Sequence, residues 1–262
     1  MDSAGPDRGQ RRALRIALII LVPIIVLAGL SLFTFGVDDL RLLQVRGLSG
    51  VAGADDRDRL IRLEPDVTTG QARAAYDRAL GLPEGWSLSL GLARLPVSRA
   101  DRDHQRATGM SPPIDALLAY GALDDPRIEE IMISGERTAE FRTGAEPIAL
   151  LRDLLPVITT EGRSRSLIDS LTLPGTVTVT LAAAALAEAD RTDAFLAAAA
   201  DLPALRSIAL GDRAEVVLVA NSEAELAATC RAAARTLSAH RVRAELRIEL
   251  ARGNLDSAAR SC

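Results

Sequence analysis

Few residues in this chain are of types that do chemistry, and those few stand in small clusters. Asp55, Asp56 and Asp58 lie in the run GADDRD, where closely spaced carboxylates could meet a calcium ion. The run lacks the fuller ligand spacing and the closing glutamate that such a loop needs, so it reads as a solvated turn. Asp101, Asp103 and His104 form DRDH, which offers two or three metal ligands with no second histidine nearby, and it reads as a surface loop. The other histidine, His240, stands beside the start of the last apolar alternation. Ser164 and Ser166 belong to GRSRS, whose Arg163 and Arg165 make a small basic spot and a candidate anion contact. The two cysteines leave two readings open. Cys230 shares a helical stripe with Leu226, Ala233 and Leu237, which suits a buried thiol, while an even cysteine count in an oxidising compartment suits a Cys230–Cys262 disulfide that ties down the C-terminal tail.

No larger motif joins these clusters. The chain has no G-x-S-x-G elbow, P-loop, H-E-x-x-H or dinucleotide-binding glycine pattern, and Cys230 with His240 is too thin a basis for a thiol nucleophile. The expectation is therefore a non-enzyme with no catalytic residue, no cofactor and no metal.

What must hold these residues begins with a membrane anchor. Residues 16–35 read IALIILVPIIVLAGLSLFTF, uncharged throughout. At about 1.5 Å per residue such a helix matches the roughly 30 Å of a bilayer core. Arg8, Arg11, Arg12 and Arg15 precede it, and Asp38 and Asp39 follow. The positive-inside rule then places residues 1–15 in the cytoplasm and the rest outside the plasma membrane. The run is longer than the apolar region of a cleaved signal peptide and no convincing cleavage site follows it. Beyond residue 35 the chain carries 27 Arg against 33 acidic residues, so a general nucleic-acid footprint is not expected.

The exported part repeats itself. In DDPRIEEIMISGERTAEF (124–141) and DLPALRSIALGDRAEVV (201–217), Pro126 matches Pro203, Ile128 matches Leu205, Ile131 matches Ile208 and Ile133 matches Leu210. VAGADDRDRLIRL (51–63) is a weaker third copy. After each copy comes the spacing of a capping box, Thr68 with Gln71, Thr143 with Glu146 and Ser222 with Glu225, and then an apolar helical face. A strand follows each helix: SLSLGL (87–92), TVTVTL (176–181) and VRAELRIEL (242–250). Further helices precede the second and third copies, one carrying IDALLAYGAL and one near 190–201 with Phe195 and Leu196.

The fold expected is α+β: an N-terminal transmembrane helix followed by three helix-strand-strand-helix-strand modules, the first lacking its leading helix. The boundaries are a basic tail at 1–15, the span at 16–35, modules at 40–95, 111–182 and 188–252, a linker at 96–110 and a tail at 253–262. Thr159 to Gly175 interrupts the middle module as an irregular stretch. Either the modules stand separately, or strands of one complete the next in a ferredoxin-like βαββαβ arrangement.

The order helix-strand-strand-helix-strand, a strand pair such as SIALGDRAEVVLVA and a final strand such as VRAELRIEL resemble the BON domain, named for bacterial osmotic-stress and nodulation proteins. One membrane helix ahead of tandem modules resembles actinobacterial envelope proteins related to outer-membrane protein A. A glycine usual after the second BON strand is replaced here, with Glu64, Thr143 and Ala220 near those points. The resemblance implies a membrane-anchored, extracytoplasmic scaffold that binds envelope components or partner proteins. Two alternatives stand beside it, a POTRA-like subunit of a division or assembly machine, whose modules run strand-helix-helix-strand-strand, and a tethered enzyme.

Overall fold

A computed structural model describes residues 37–160, 168–251 and 260–262. The anchor at 16–35 and the pair Arg163 and Arg165 lie outside the described residues. Among those described, no helix is long and apolar enough to cross a membrane.

The described chain is α+β, with one large mixed sheet. Its strands are β1 (Val51–Asp55), β2 (Leu60–Leu63), β3 (Ser87–Leu90), β4 (Ala93–Pro96), β5 (Ile128–Ile133), β6 (Thr138–Thr143), β7 (Ser170–Leu173), β8 (Thr178–Ala182), β9 (Leu205–Leu210), β10 (Ala214–Ala220), β11 (Glu245–Leu250) and β12 (Arg260–Ser261). They lie side by side in chain order. Antiparallel hairpins and parallel crossovers alternate without exception, from β1–β2 antiparallel and β2–β3 parallel through to β10–β11 parallel and β11–β12 antiparallel.

The helices are α1 (Val37–Arg46), α2 (Thr69–Ala79), α3 (Arg99–Thr108), α4 (Ile114–Gly121), α5 (Pro147–Thr160), α6 (Ala183–Leu186), α7 (Ala189–Ala200) and α8 (Glu223–Ala239). Contacts of α1 with α2, α2 with α4, α5 with α7 and α7 with α8 place the helix layer on one face. The strands of successive crossovers run in opposite directions while the chain advances the same way across the sheet. With all helices on one face, neighbouring crossovers must be of opposite hand, so at least two of the five depart from the right-handed rule.

The covered face is apolar. Ile133, Ala139, Leu171, Leu181, Leu210 and Ala214 stand opposite one another across six strands and all are buried. The helices return matching stripes: Ala72, Ala75, Tyr76 and Ala79 from α2, Ile148, Leu151, Leu154 and Leu155 from α5, and Phe195 and Leu196 from α7. Tyr120 of α4 meets Phe141 of β6 edge to face at 5.6 Å. Arg152 of α5 binds Asp193 of α7 at 2.8 Å across the helix layer.

Several expectations are corrected. The first hairpin has a leading helix, α1, whose Leu42 and Val45 are buried. The stretch 96–110 is not simply a linker, since it holds β4's last residue and α3, which starts at the Ser98 cap and ends at Gly109 with φ +70°. DRDH therefore lies on a helix and not in a loop. The irregular stretch 159–175 contains β7, which is the strand that follows α5, so TVTVTL is instead the return strand of a hairpin. The tail 253–262 ends in β12, paired with β11. Every crossover joins neighbouring parallel strands, which excludes the split βαβ of a ferredoxin-like unit within the described sheet.

Of the three expected capping boxes, only Thr68–Gln71 forms both bonds. Thr143 is the last residue of β6 and its hydroxyl donates to the Arg127 carbonyl at 2.6 Å. Ser222 caps α8 without a side-chain bond, while Glu225 reaches past it to the Asn221 amide at 3.0 Å.

Candidate functional site

The face of the sheet away from the helices is open, and it is the broadest feature a partner could meet. One row of residues runs across it through ten strands in unbroken register: Arg62, Ser89, Arg94, Met132, Glu140, Thr172, Thr180, Ala209, Glu215 and Glu245. Alternation of side chains along each strand puts these opposite the buried rows. Strands with one face buried and one polar are ordinary in antiparallel sheets, whereas parallel neighbours are usually covered on both sides. Here five parallel junctions share one face that no described helix covers, and that is unusual.

The row is banded by charge. Toward the β4–β6 end, Glu130 accepts from Arg94 at 2.9 Å and from Arg142 at 3.0 Å. Toward the other end, Arg247 pairs with Glu215 at 3.0 Å and Glu245 at 3.2 Å, and Arg206 pairs with Glu249. Between these bands β7, β8 and the part of β9 beyond Arg206 present small neutral residues, Ser170, Thr172, Thr178, Thr180, Ser207 and Ala209, all half-buried. The Thr172 and Thr180 hydroxyls lie 3.4 Å apart. The centre is thus a flat field of hydroxyl groups that can donate and accept, bounded by ion pairs whose charges are already matched.

The residues singled out in the sequence do not converge on this face or on each other. Asp55 folds back on its own turn, accepting from the amides of Arg57 at 3.0 Å and Asp58 at 3.4 Å. That use of the carboxylate fits a turn. Asp101 belongs to the first turn of α3, where its amide donates to the Ser98 cap. Among the described residues no three His, Cys, Asp or Glu groups gather as metal ligands. His240 caps α8 and binds Asp201, the cap of α7, at 3.0 Å, which pins two helix ends together. Trp86 is buried just ahead of β3. Cys230 and Cys262 form a disulfide with Cα atoms 5.7 Å apart.

One cleft does collect charge. It measures about 460 Å³ and is lined by Asp77, Leu80 and Gly81 together with Arg99, Arg102, Asp103 and Arg106 of α3. Two of its three guanidinium groups are engaged in structure: Arg99 donates to the Leu80 and Leu82 carbonyls at 3.0 and 3.2 Å, and Arg102 binds Asp77 at 3.2 Å. These bonds complete the C-terminal end of α2, whose carbonyls carry the negative end of the helix dipole. The cleft is a helix cap, made from two adjacent helices.

Two perturbed groups mark structure as well. Burial pushes the Tyr120 phenol far above its usual range, and its hydroxyl has no hydrogen-bond partner among the described residues. Asp125 is lowered to about 2 by hydrogen bonds from the Arg127 side chain and backbone, and the same guanidinium reaches Asp153 of α5 at 2.6 Å. Compared with protein-family profiles, with curated proteins and with solved structures, the chain matches none.

The open-face residues Arg94, Glu140, Thr172 and Thr180 went unremarked in the sequence. Their signal was present in the alternation of TVTVTL, where Val179 and Leu181 turn inward and Thr178 and Thr180 outward. The outward set Arg243, Glu245, Arg247 and Glu249 in the last strand is the same pattern.

Proposed function

We propose that the chain is a membrane-anchored, extracytoplasmic scaffold of the bacterial envelope that binds partner proteins or envelope components across the open face of its sheet. The observation that carries this reading is the row that crosses ten strands on the face away from the helices, mostly polar and, apart from buried Ser89, exposed or half-buried. A flat, hydroxyl-rich field bounded by ion pairs suits a partner that binds by many weak polar contacts. The uncharged run at 16–35, with arginines before it and acidic residues after it, supports anchoring and outward display.

The BON-like reading draws support from the order of elements. Helix, hairpin, helix and parallel strand follow one another as α1-β1-β2-α2-β3, α4-β5-β6-α5-β7 and α7-β9-β10-α8-β11. The strands β5 and β9 begin and end 77 residues apart, as the matched sequences do. A POTRA-like reading has its own observation, because strand-helix-helix-strand-strand is also legible, as β4-α3-α4-β5-β6 and β8-α6-α7-β9-β10. Order alone does not separate the two, since each is the same series read from a different starting strand.

A reporter fused to the C-terminus of the full chain tests the placement. An enzyme active only outside the cytoplasm, and lost when residues 16–35 are deleted, is the expected outcome. Activity in the cytoplasm would end the scaffold reading in this form.

A further inference from the structure

Both ends of the sheet are closed, and they are closed differently. At the first edge α1 packs on β1, and Arg46 donates from Nε and Nη2 to the Ala54 carbonyl at 3.0 and 2.6 Å. At the last edge β12 lies on β11 through two register pairs, Arg247 with Ser261 and Ile248 with Arg260, and the Cys262 amide donates to the Leu246 carbonyl at 3.0 Å. A strand this short is held weakly by its ladder alone. What fastens it is the bond from Cys262 to Cys230 on α8. Unpaired edges of sheets are templates for further strands, so the bond guards a reactive surface.

We propose that Cys230–Cys262 is a redox-operated latch: when it is reduced, β12 leaves and β11 accepts the β12 strand of a second copy of this chain. Cys262 is exposed and Cys230 half-buried, so the attack falls on Cys262 Sγ. A thiolate of a dithiol reductant bonds to that sulfur, the S–S bond breaks, and its electron pair goes to Cys230, which takes a proton. The reductant's second thiolate then attacks the mixed disulfide and displaces Cys262 as a thiolate, which is protonated. The reductant leaves as its own disulfide.

The register specifies the occupant. β11 turns Leu246, Ile248 and Leu250 toward the helices and Glu245, Arg247 and Glu249 toward the open face. The strand that fits this edge and brings a cysteine over Cys230 is β12, and a second copy carries the same strand. Exchange of an identical element needs no new contacts. Reoxidation then joins Cys262 of one chain to Cys230 of its partner, with two hydrogens passed to a disulfide oxidant.

Two full-length variants test this directly, Cys230→Ser and Cys262→Ser, mixed and oxidised together. The expected product is a disulfide heterodimer, at least ~10-fold in excess of either homodimer because the β11 register aligns only that pair. A second readout needs no substitution: reducing the wild-type bond speeds amide exchange of residues 245–250 by at least ~10-fold while β5–β8 keep their protection. Unchanged exchange at β11 would overturn the latch. Faster exchange without the heterodimer would remove the second copy as its occupant.

Discussion

Of the described glycines, Gly91, in the β3–β4 turn, leaves least room for a Cβ, because it faces Gly121 at the end of α4. Gly91 has φ +52°, and a Cβ there would stand 2.4 Å from the Gly121 carbonyl oxygen. Gly91→Ala therefore faces two costs. The left-handed conformation costs roughly 1–2 kcal/mol in an L-residue. Relieving a contact with backbone, which cannot rotate away, adds roughly 1–3 kcal/mol. Gly109, the cap of α3, separates the two, since its φ is +70° but nothing lies within 4 Å of its Cβ position. Gly109→Ala should lose only the conformational part. Urea unfolding of the two variants, read at the midpoint with the slope held common, is predicted to place Gly91→Ala about 2–5 kcal/mol below the parent and Gly109→Ala about 1–2 below. Equal losses would mean that α4 does not seat on the β3–β4 turn, and the join between the β3–β4 and β5–β6 hairpins would have to be redrawn.

Other expectations follow from buried polar groups and from pH. Gln105 is fully buried with neither side-chain amide atom bonded among the described residues, so Gln105→Met should raise stability by about 1–2 kcal/mol, visible as a higher urea midpoint. The chain's two tyrosines, Tyr76 and Tyr120, are both raised above 10.0, chiefly by burial. Groups raised by folding support the native state below their unfolded value, and that support falls as pH climbs past it, so ultraviolet titration should show less phenolate near pH 10 in the folded protein than in the unfolded chain. Asp125 works in the opposite sense. Its carboxyl is lowered from 3.8 to about 2, so its contribution is present above pH 3.8 and is lost as pH falls through about 2. Asp125→Asn should flatten the acid limb of the stability curve in that window.

The parts of the fold that were legible in the sequence are those with strong period. The faces of α2, α5 and α8, the hairpin β9–β10 and the alternation of β11 all show apolar residues at the spacing their geometry requires. What escaped had little apolar content or stood next to something louder. In α3 only Gln105 is buried, so the helix has no hydrophobic stripe and announces itself only by Ser98 and Gly109. α1 buries Leu42 and Val45 but stands directly behind the apolar run at 16–35, which overshadowed it. Strands β4 and β7 are four residues long, too short for alternation to be distinctive, yet their parallel pairing with β5 and β6 joins successive hairpins into one sheet. The disulfide was one of two open readings, because its register depends on β12, a strand of two residues. The open face is long-range by nature: its row of ten residues exists only once ten strands lie in register.

The central claim is that this open face is where partners bind. Photoreactive residues placed singly at Thr172 and Thr180 on the open face, and at Ala227 and Arg231 on the exposed side of α8, would be activated in intact cells carrying the full chain. The account predicts discrete cross-linked products from Thr172 and Thr180 and none from the α8 positions. Products from α8 alone, with the hydroxyl field silent, would contradict it.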